Sequence, residues 1–249
     1  MRSMILMGAG ALCLQVGGCG DSTGAPGEPA AAARSYEIVT VTRPESVDRQ
    51  IAVDWARYDA CVMAAESRKL PVKPFPAVPQ QYFYERNTYI SDGKTYLMRS
   101  EQYGLDDARL VPEQGCAARF AVQSSTDIQR GTKVRHIGIA LDGERQVDDE
   151  DRAAPLAPDA AAAAGYSVAR SVAGHAVRCL PPGSPAYAGG TVREMCIADA
   201  AAVDPDGKPV VVAATMKNAT GTTTLVTEPH KLVLGKPIDA KAFDDAGAL

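Results

Sequence analysis

Residues 80–103 carry the pattern that decides the fold class: QQYFYERNTYI, then SDG, then KTYLMRSEQY. Both halves are rich in aromatic and β-branched residues, which favour strands. Between them lies Asp92-Gly93, and an Asp-Gly pair in this position is the strongest short signal for a tight β-hairpin. The centre of the chain is therefore predicted to form two antiparallel strands.

A two-residue turn at Asp92-Gly93 fixes the register of this hairpin. It aligns four tyrosines across the two strands, Tyr89 with Tyr96 and Tyr82 with Tyr103. The same register sets Arg86 against Arg99, and like charges directly opposite each other are unfavourable. We therefore expect a bulge or a slip before the strands end. The four tyrosines are the candidate ligand-binding residues, and bracing of the sheet is the alternative role.

Much of the remaining chain alternates between β-branched segments and turn residues, with 22 glycines and 17 prolines in 249 residues. This alternation is typical of β structure. Strands are predicted at Tyr36–Thr42, Ala117–Gln123, Lys133–Leu141, Tyr166–Cys179, Thr191–Ala198, Pro209–Met216, Thr222–Glu228 and Lys231–Leu234. The predicted fold is mainly β (α+β), a curved antiparallel sheet or half-barrel with one packed N-terminal helix.

The predicted helix runs from Val47 to Leu70, with Ser46 as its N-cap and a proline after its end. Apolar and aromatic residues recur along it at three- and four-residue steps, at Ile51, Trp55, Tyr58 and Val62. We interpret this stripe as a core face rather than as a ligand box. Cys61 is expected to tie the helix to the sheet.

Residues 142–164 read DGERQVDDEDRAAPLAPDAAAAA, acidic at first and then rich in alanine. We interpret the segment as an exposed insertion within the domain, with room for a short helix. A solvated loop and a docking surface are the two roles considered for it. Its acidic run lacks the alternation and the glycine of a calcium-binding loop.

The chain begins like a signal peptide, with Arg2 followed by an apolar run from Met4 to Val16. This run is too short for a permanent membrane-spanning helix, which needs about 20 residues. The motif Val16-Gly17-Gly18-Cys19 resembles the bacterial lipoprotein signal, in which a peptidase cuts after small residues and the cysteine carries a diacylglycerol. The resemblance implies a signal peptide at 1–18 and lipidation at Cys19. An ordinary secretory signal is the alternative.

Residues 19–35 are rich in Gly, Pro, Ala and Ser, the composition of a flexible tether, and a single domain at 36–249 follows. We therefore expect a lipid-anchored protein of the bacterial cell envelope, whose partners are the membrane and another envelope protein. In families with this signal, Asp directly after the cysteine tends to retain the protein at the inner membrane. Gly20 occupies that position, which favours the outer membrane with the domain facing the periplasm.

Cysteine usage agrees with export. Of the six cysteines, Cys13 leaves with the signal peptide and Cys19 carries lipid. The remaining four, in an exported protein, predict two disulfides. A hairpin about the loop at 183–190 places Cys179 opposite Cys196, and Cys61 then pairs with Cys116 by elimination. No Cys-x-x-Cys occurs, so neither a redox motif nor a zinc ribbon is expected.

The sequence contains no recognisable catalytic, metal-binding or cofactor-binding motif. The three histidines, His136, His175 and His230, are far apart, and surface or strand positions are expected for them. There is no Gly-x-Ser-x-Gly elbow and no dinucleotide-binding glycine fingerprint. With 30 acidic against 26 basic residues, the chain has no field that attracts phosphate, which argues against nucleic-acid binding.

The C-terminal third has a characteristic order of short motifs. Ala-Gly-His precedes Cys179, and Met-Cys-Ile-Ala-Asp (195–199), Gly-Lys-Pro-Val-Val-Val (207–212), a hairpin at 218–221 and Gly-Lys-Pro-Ile-Asp (235–239) with Phe243 follow. This order resembles the closing meander of half-barrel envelope proteins of the lipoprotein-carrier type. The resemblance implies a curved sheet with a helix in its concavity, which holds an acyl chain or a peptide. The cysteine pair and the insertion after Leu141 depart from the carrier pattern.

Three functions follow from these observations. The first is a non-catalytic accessory or structural lipoprotein that docks onto an envelope assembly. The second is a carrier that binds a lipid or another apolar ligand in the half-barrel. The third is a hydrolase whose site has no sequence signature. A cavity favours the carrier, an exposed apolar patch favours docking, and titratable groups clustered in a cleft favour the enzyme.

Overall fold

The computed structural model describes residues 35–106, 109–218, 221 and 223–244. The predicted signal peptide at 1–18, the lipidation residue Cys19 and the tether up to residue 34 lie outside these residues. Among the described helices, none is long and apolar enough to cross a membrane.

The described strands, numbered in chain order, are β1 (Tyr36–Pro44), β2 (Glu85–Ser91), β3 (Thr95–Leu105), β4 (Phe120–Arg130), β5 (Lys133–Ile139), β6 (Arg145–Asp151), β7 (Val168–Val172), β8 (His175–Cys179), β9 (Val192–Ile197), β10 (Val211–Lys217) and β11 (Thr224–Leu234). The α-helices among the described residues are α1 (Val47–Glu66) and α2 (Ala160–Ala164).

These eleven described strands form one antiparallel sheet in the order β6-β5-β4-β3-β2-β1-β11-β10-β9-β8-β7. Neighbours in the sheet are mostly neighbours in sequence, and β1 joins the two meanders by pairing with β2 on one side and β11 on the other. The sheet is open, with β6 and β7 at its edges. A mainly β fold with an antiparallel sheet and one long helix is thereby confirmed.

The β2–β3 hairpin forms in a register two residues away from the predicted one. Ser91 lies opposite Tyr96, and Tyr89 opposite Met98 rather than Tyr96. The Asp92 carboxylate accepts hydrogen bonds from the backbone N–H groups of Lys94 (2.8 Å) and Thr95 (2.6 Å), which moves the turn towards Gly93-Lys94. The expected slip therefore occurs at the turn itself.

The slip removes the unfavourable arginine pair. Arg86 lies opposite Glu101 and donates two hydrogen bonds of 2.7 Å to its carboxylate. The Glu101 side chain is only 5% exposed, so this pair neutralises a charge within the sheet. A shift of two residues keeps every side chain on its face, since strand side chains alternate with a period of two.

Helix α1 begins as predicted, with the Ser46 hydroxyl accepting a hydrogen bond from the Arg49 backbone N–H. The predicted core stripe is wrong in part. The buried residues are Asp54, Tyr58, Cys61 and Ala65, whereas Trp55 is 47% exposed. The tryptophan ring contacts Tyr58 and Phe75, with centroid distances of 5.8 and 5.9 Å.

Both predicted disulfides are present among the described residues, Cys61–Cys116 and Cys179–Cys196. Cys179 lies directly opposite Cys196 in the β8–β9 pair, as the hairpin predicts. The other bond does not tie α1 to a strand. Cys116 follows the 3₁₀ turn Pro112–Gln114, so the bond joins the helix to the connection between β3 and β4.

Three segments differ from their predicted structure. The acidic half of the insertion is edge strand β6, which pairs with β5 in a register that places Arg135 opposite Asp149. Its alanine-rich half contains α2. The predicted strand at 166–179 is two strands, because Ala173 and Gly174 adopt positive φ and turn the chain. The last two predicted strands are one, β11, with a bulge opposite Val39/Thr40 beside Pro229.

The sheet has two distinct faces. The helix face carries Leu97 and Tyr103, and it holds Phe243 against Ile90, Leu97, Ile128 and Ile137. A cluster of seven rings also forms there, from Trp55, Tyr58, Phe75, Tyr82, Phe83, Tyr103 and Phe120. The cleft face carries Tyr96 and Met98, whose positions alternate with Leu97. It is the cleft face that contains the candidate site.

Candidate functional site

The candidate site is a cavity of about 310 Å³ on the cleft face, called the cleft below. Tyr36, Ser91, Tyr96, Gln129 and Val134 belong to successive pairs and form one row across five strands. All of them except Ser91 line the cleft. Tyr89, Met98 and Asp127 occupy the neighbouring row. Three phenol rings from three adjacent strands are thus brought to one surface, with Tyr36 and Tyr96 only 2% and 5% exposed.

The second wall of the cleft is the connection between β9 and β10, which contributes Asp204, Pro205 and Asp206. The Tyr36 hydroxyl donates a 2.5 Å hydrogen bond to the Val203 carbonyl and so holds this connection on the sheet. The Asp204 carboxylate accepts hydrogen bonds of 2.9 Å from the backbone N–H groups of Asp206 and Lys208. The turn therefore fixes the position of that carboxylate.

The third wall is the segment 152–159 between β6 and α2, called the strap. It covers part of the cleft face on its way from one edge of the sheet towards the other. Gln129 Nε2 donates to the Ala153 carbonyl (2.8 Å), and the backbone N–H of Leu156 donates to the Pro205 carbonyl (2.9 Å). Because its backbone polar groups bond to both other walls, the strap is part of the folded domain.

Gly207 lets the strap approach the β9–β10 connection closely. Its φ is +76°, and a Cβ atom there would stand 2.3 Å from the Ala157 carbonyl oxygen. The Asp159 backbone N–H also donates to the Gly207 carbonyl at 2.8 Å. A side chain at this position must push the strap outward.

Gly207→Ala is expected to lower the free energy of unfolding by about 1–2 kcal/mol through its backbone conformation alone and to loosen the strap in addition. Gly174→Ala is the matched control, since Gly174 has a φ of +81° but no atom within 4 Å of the place that a Cβ would occupy. Amide hydrogen exchange should rise at residues 152–159 only in the Gly207 variant. Equal exchange in the two variants would contradict the close contact.

Burial controls the ionisation of the cleft groups. It raises the pKa of Tyr89 to about 12 and also raises the pKa values of Tyr36 and Tyr96. The Asp204 carboxylate, which lines the same cavity, adds to the pKa increase at all three phenols. Burial raises the pKa of Asp204 as well. The phenols are neutral at physiological pH, and the Tyr36 hydroxyl is already bonded to the Val203 carbonyl.

A cluster of charged side chains around His136 lies beside the cleft, where β4, β5 and β6 pair. His136 lies opposite Asp127, with 2.5 Å between Nδ1 and Oδ1, and its Nε2 is 3.1 Å from Glu150 Oε1. Arg152, the first strap residue, pairs with Glu150 and lies 3.6 Å from Asp127 Oδ2. Both ring nitrogens of His136 face carboxylates, and Arg152 Nη2 also lies 3.3 Å from Nε2. The two carboxylates favour the imidazolium, and the cluster links the first strap residue to β4, β5 and β6.

The stability of this cluster is expected to depend on pH. The hydrogen bond to Glu150, followed by that to Asp127, raises the pKa of His136 above its ordinary value, although burial opposes the increase. Its stabilisation is therefore fully present below about pH 6.5, the unfolded value, and is lost as the pH rises through the folded pKa. Urea unfolding at a series of pH values should show this loss.

His136→Gln should flatten that part of the pH profile, because the titrating group is removed. His230→Gln is the control, since His230 is exposed in β11 and lies outside the cluster. An unchanged profile in the His136 variant would contradict the assignment.

Two of the four candidate tyrosines reach the cleft and two do not. Tyr89 and Tyr96 line it, whereas Tyr82 and Tyr103 stack on each other in the ring cluster, with centroids 5.9 Å apart. Sequence reasoning missed Tyr36, Asp204 and the strap. Their contribution depends on the pairing of β1 with β2 and on the path of two connections, for which the sequence has no local signal.

Outside the cleft, the disulfide-bonded cysteines and the other two histidines have structural positions. Among the described residues, three side chains that could ligate a metal ion converge within 4.8 Å only at Cys179, Glu194 and Cys196, and both sulfurs belong to a disulfide. His175 begins β8, and His230 lies in β11. The sequence matches no protein-family model, and no curated protein gives a significant match.

Proposed function

We propose that this chain is a lipid-anchored protein of the bacterial envelope that binds a small molecule in the cleft without transforming it. One observation carries the binding role: three tyrosines from β1, β2 and β3 line a cavity of about 310 Å³ that a strap partly covers. Cavities of about 300–1,000 Å³ with apolar walls and a few fixed polar groups are typical of small-molecule sites.

The mouth of the cleft supports this proposal. Met98 and Leu156, which line the cleft, are 43% and 59% exposed, so the cleft presents apolar side chains that an incoming molecule can contact. A second cavity of about 400 Å³ shares Tyr89, Met98 and Asp204 with the cleft. The bound molecule can therefore extend past the strap towards α2.

The dimensions and charges of the cleft favour a small polar ligand over the acyl chains of a carrier. Three carboxylates, from Asp127, Asp204 and Asp206, line it together with one guanidinium, from Arg152. Burying an acyl chain against these groups would desolvate them without replacing their hydrogen bonds. The lipid-carrier role is accordingly the weaker form of the binding proposal.

The geometry of His136 supports binding rather than catalysis. A general base needs a ring nitrogen within hydrogen-bond reach of the substrate. Both nitrogens of His136 are within 3.1 Å of carboxylate oxygens instead. The hydrolase hypothesis therefore has no positioned base in this cluster.

Docking onto an envelope protein is the second candidate function, and the exposed face of α1 favours it. Trp55 and Val53 are 47% and 48% exposed, and tryptophan is enriched among residues that dominate protein interfaces. Under this proposal, an envelope protein should co-purify with the wild-type chain and should no longer co-purify with Trp55→Ala, although the variant keeps the fold. Unchanged co-purification would contradict docking through α1.

Cys19→Ser is expected to abolish lipidation, because no other thiol follows small residues at the end of the apolar run. Metabolic labelling with a palmitate analogue should label the wild-type protein and leave the variant unlabelled. Cys13→Ser is the matched control and should retain the label. Label persisting in the Cys19 variant would contradict the proposed anchor.

The binding role is tested by the molecules that co-purify with the protein from detergent-solubilised envelopes. Denaturation of the wild-type protein should release a small molecule detectable by mass spectrometry. Met98→Trp, which fills the cleft from an already exposed position, should lose it, whereas Met63→Trp on α1 should keep it. Equal release from the two variants would contradict the proposed site.

A further inference from the structure

We propose that the ligand of the cleft is an organic cation, an ammonium group attached to a small apolar or aromatic body. This inference rests on the proposed function and specifies the class of molecule that the same site takes. It follows from the kinds of group that surround the cavity and from the position of one carboxylate among the three phenols.

Acidic side chains outnumber basic ones in the lining of the cleft. The cleft faces three carboxylates and one guanidinium. That guanidinium, Arg152, is already engaged by Glu150 and lies near Asp127, and His136 also contacts Asp127. The carboxylates of Asp204 and Asp206, on the opposite wall, are the remaining charges of the lining and give it a net negative charge. A negative field in a partly enclosed site attracts cations.

Aromatic rings line the cleft beside these carboxylates. Asp204 is held by two backbone N–H groups, and it lines the cavity together with Tyr36, Tyr89 and Tyr96. A cation placed between this carboxylate and the rings gains a charge contact and attraction to any ring face that it reaches. Alkylated ammonium groups are recognised by aromatic rings in this way.

The spacing of the carboxylates in the cleft favours an organic cation over a metal ion. A metal ion needs several ligand atoms that converge on one point. In the described part of the chain, no carboxylate group of the cleft belongs to a set of three ligating side chains within 4.8 Å. The negative charge is instead spread over a cavity lined also by the apolar side chains of Met98, Val134 and Leu156, which suits a larger cation with an apolar body.

The test uses three probes of similar size that differ in charge: benzylammonium, benzyl alcohol and benzoate. The protein from residue 19 onward, with Cys19→Ser so that it carries no lipid, is labelled with ¹³C at the methionine methyl groups. Met98 reports on the cleft and Met63 on α1. Benzylammonium should shift the Met98 signal in a saturable way, with Met63 unchanged, and benzoate should not.

Asp204→Asn should weaken benzylammonium binding by about tenfold, the loss expected for one charge-assisted contact. The asparagine carbonyl still accepts the two backbone hydrogen bonds, so the turn is kept. Asp239→Asn, which removes the same charge outside the cleft, should leave binding unchanged.

Each other outcome has a definite meaning. If benzyl alcohol or benzoate shifts the Met98 signal as strongly as benzylammonium does, the inference of a cationic ligand is wrong, while the cleft remains a binding site. If Asp204→Asn binds benzylammonium as the wild type does, the carboxylate does not select the ligand and the inference is overturned. If no probe shifts Met98, both the inference and the proposed binding site are contradicted.

Discussion

Arg86→Met is expected to lower the free energy of unfolding by about 2–3 kcal/mol, because it leaves a carboxylate buried without its partner. Glu101 is 4% exposed, and Arg86 satisfies both of its oxygens at 2.7 Å. Arg86 also lies over the Phe83 ring, 4.9 Å from its centroid, and the methionine keeps part of that packing. Urea unfolding monitored by circular dichroism measures the change.

Arg135→Met provides the matched control. Arg135 also pairs with a carboxylate across two strands, donating to Asp149 at 2.8 and 3.2 Å, but both side chains are more than half exposed. Its loss should cost much less, since solvent screens exposed pairs. Adding Glu101→Gln to Arg86→Met should recover stability. Equal destabilisation in the two arginine variants would contradict the observed hairpin register.

The Arg86–Glu101 pair explains why the hairpin could be predicted from the sequence but its register could not. The Asp-Gly preference is local and strong, and it identifies the turn region correctly. The register also depends on long-range partners, and a slip of two residues exchanges an Arg86–Arg99 contact for Arg86–Glu101 while leaving both faces unchanged. The predicted clash was the only sign of this exchange in the sequence.

Loss of the Cys61–Cys116 bond is the second large effect, and the double variant Cys61→Ser/Cys116→Ser should be less stable by about 4 kcal/mol. The bond closes a loop with a sequence separation of 55, which includes the whole β2–β3 hairpin. It also holds α1 against the connection that contains Leu110 and Ala118. Differential scanning calorimetry under non-reducing conditions measures the difference.

Cys179→Ser/Cys196→Ser is the comparison, with a separation of 17 and an expected loss of about 3 kcal/mol. The ring cluster should respond only in the first variant, since Tyr58 and Phe75 lie beside Cys61. Fluorescence of Trp55, the single tryptophan, reports this directly. A Trp55 signal that changes equally in both variants would contradict the role assigned to the first bond.

Sequence reasoning reached the disulfides because both pairings follow from a short hairpin and from elimination. It did not reach β6, whose acidic residues lack the apolar alternation by which strands are recognised. That strand pairs through the backbone and through cross-strand contacts such as Lys133 with Asp151 at 2.8 Å. Charged edge strands also resist pairing with other chains, which gives this composition a physical reason.

The candidate site was predictable only in part. Tyr89 and Tyr96 are separated by a turn, so their common face follows from strand alternation. Tyr36 and Asp204 are brought to them by the β1–β2 pairing and by the hydrogen bond from Tyr36 to the Val203 carbonyl. Such contacts depend on the order of strands in the whole sheet, and no local pattern encodes that order.

The proposed function places the ligand in the cleft beneath the strap. It is tested most directly by a methyl NMR titration of the ¹³C-methionine-labelled protein with the small-molecule fraction extracted from bacterial envelopes. We expect a saturable shift of the Met98 signal with Met63 unchanged. Tyr89→Ala, which keeps Met98 and removes a cleft ring, should abolish that shift. A saturable shift confined to Met63, or one at Met98 that survives Tyr89→Ala unchanged, would contradict it.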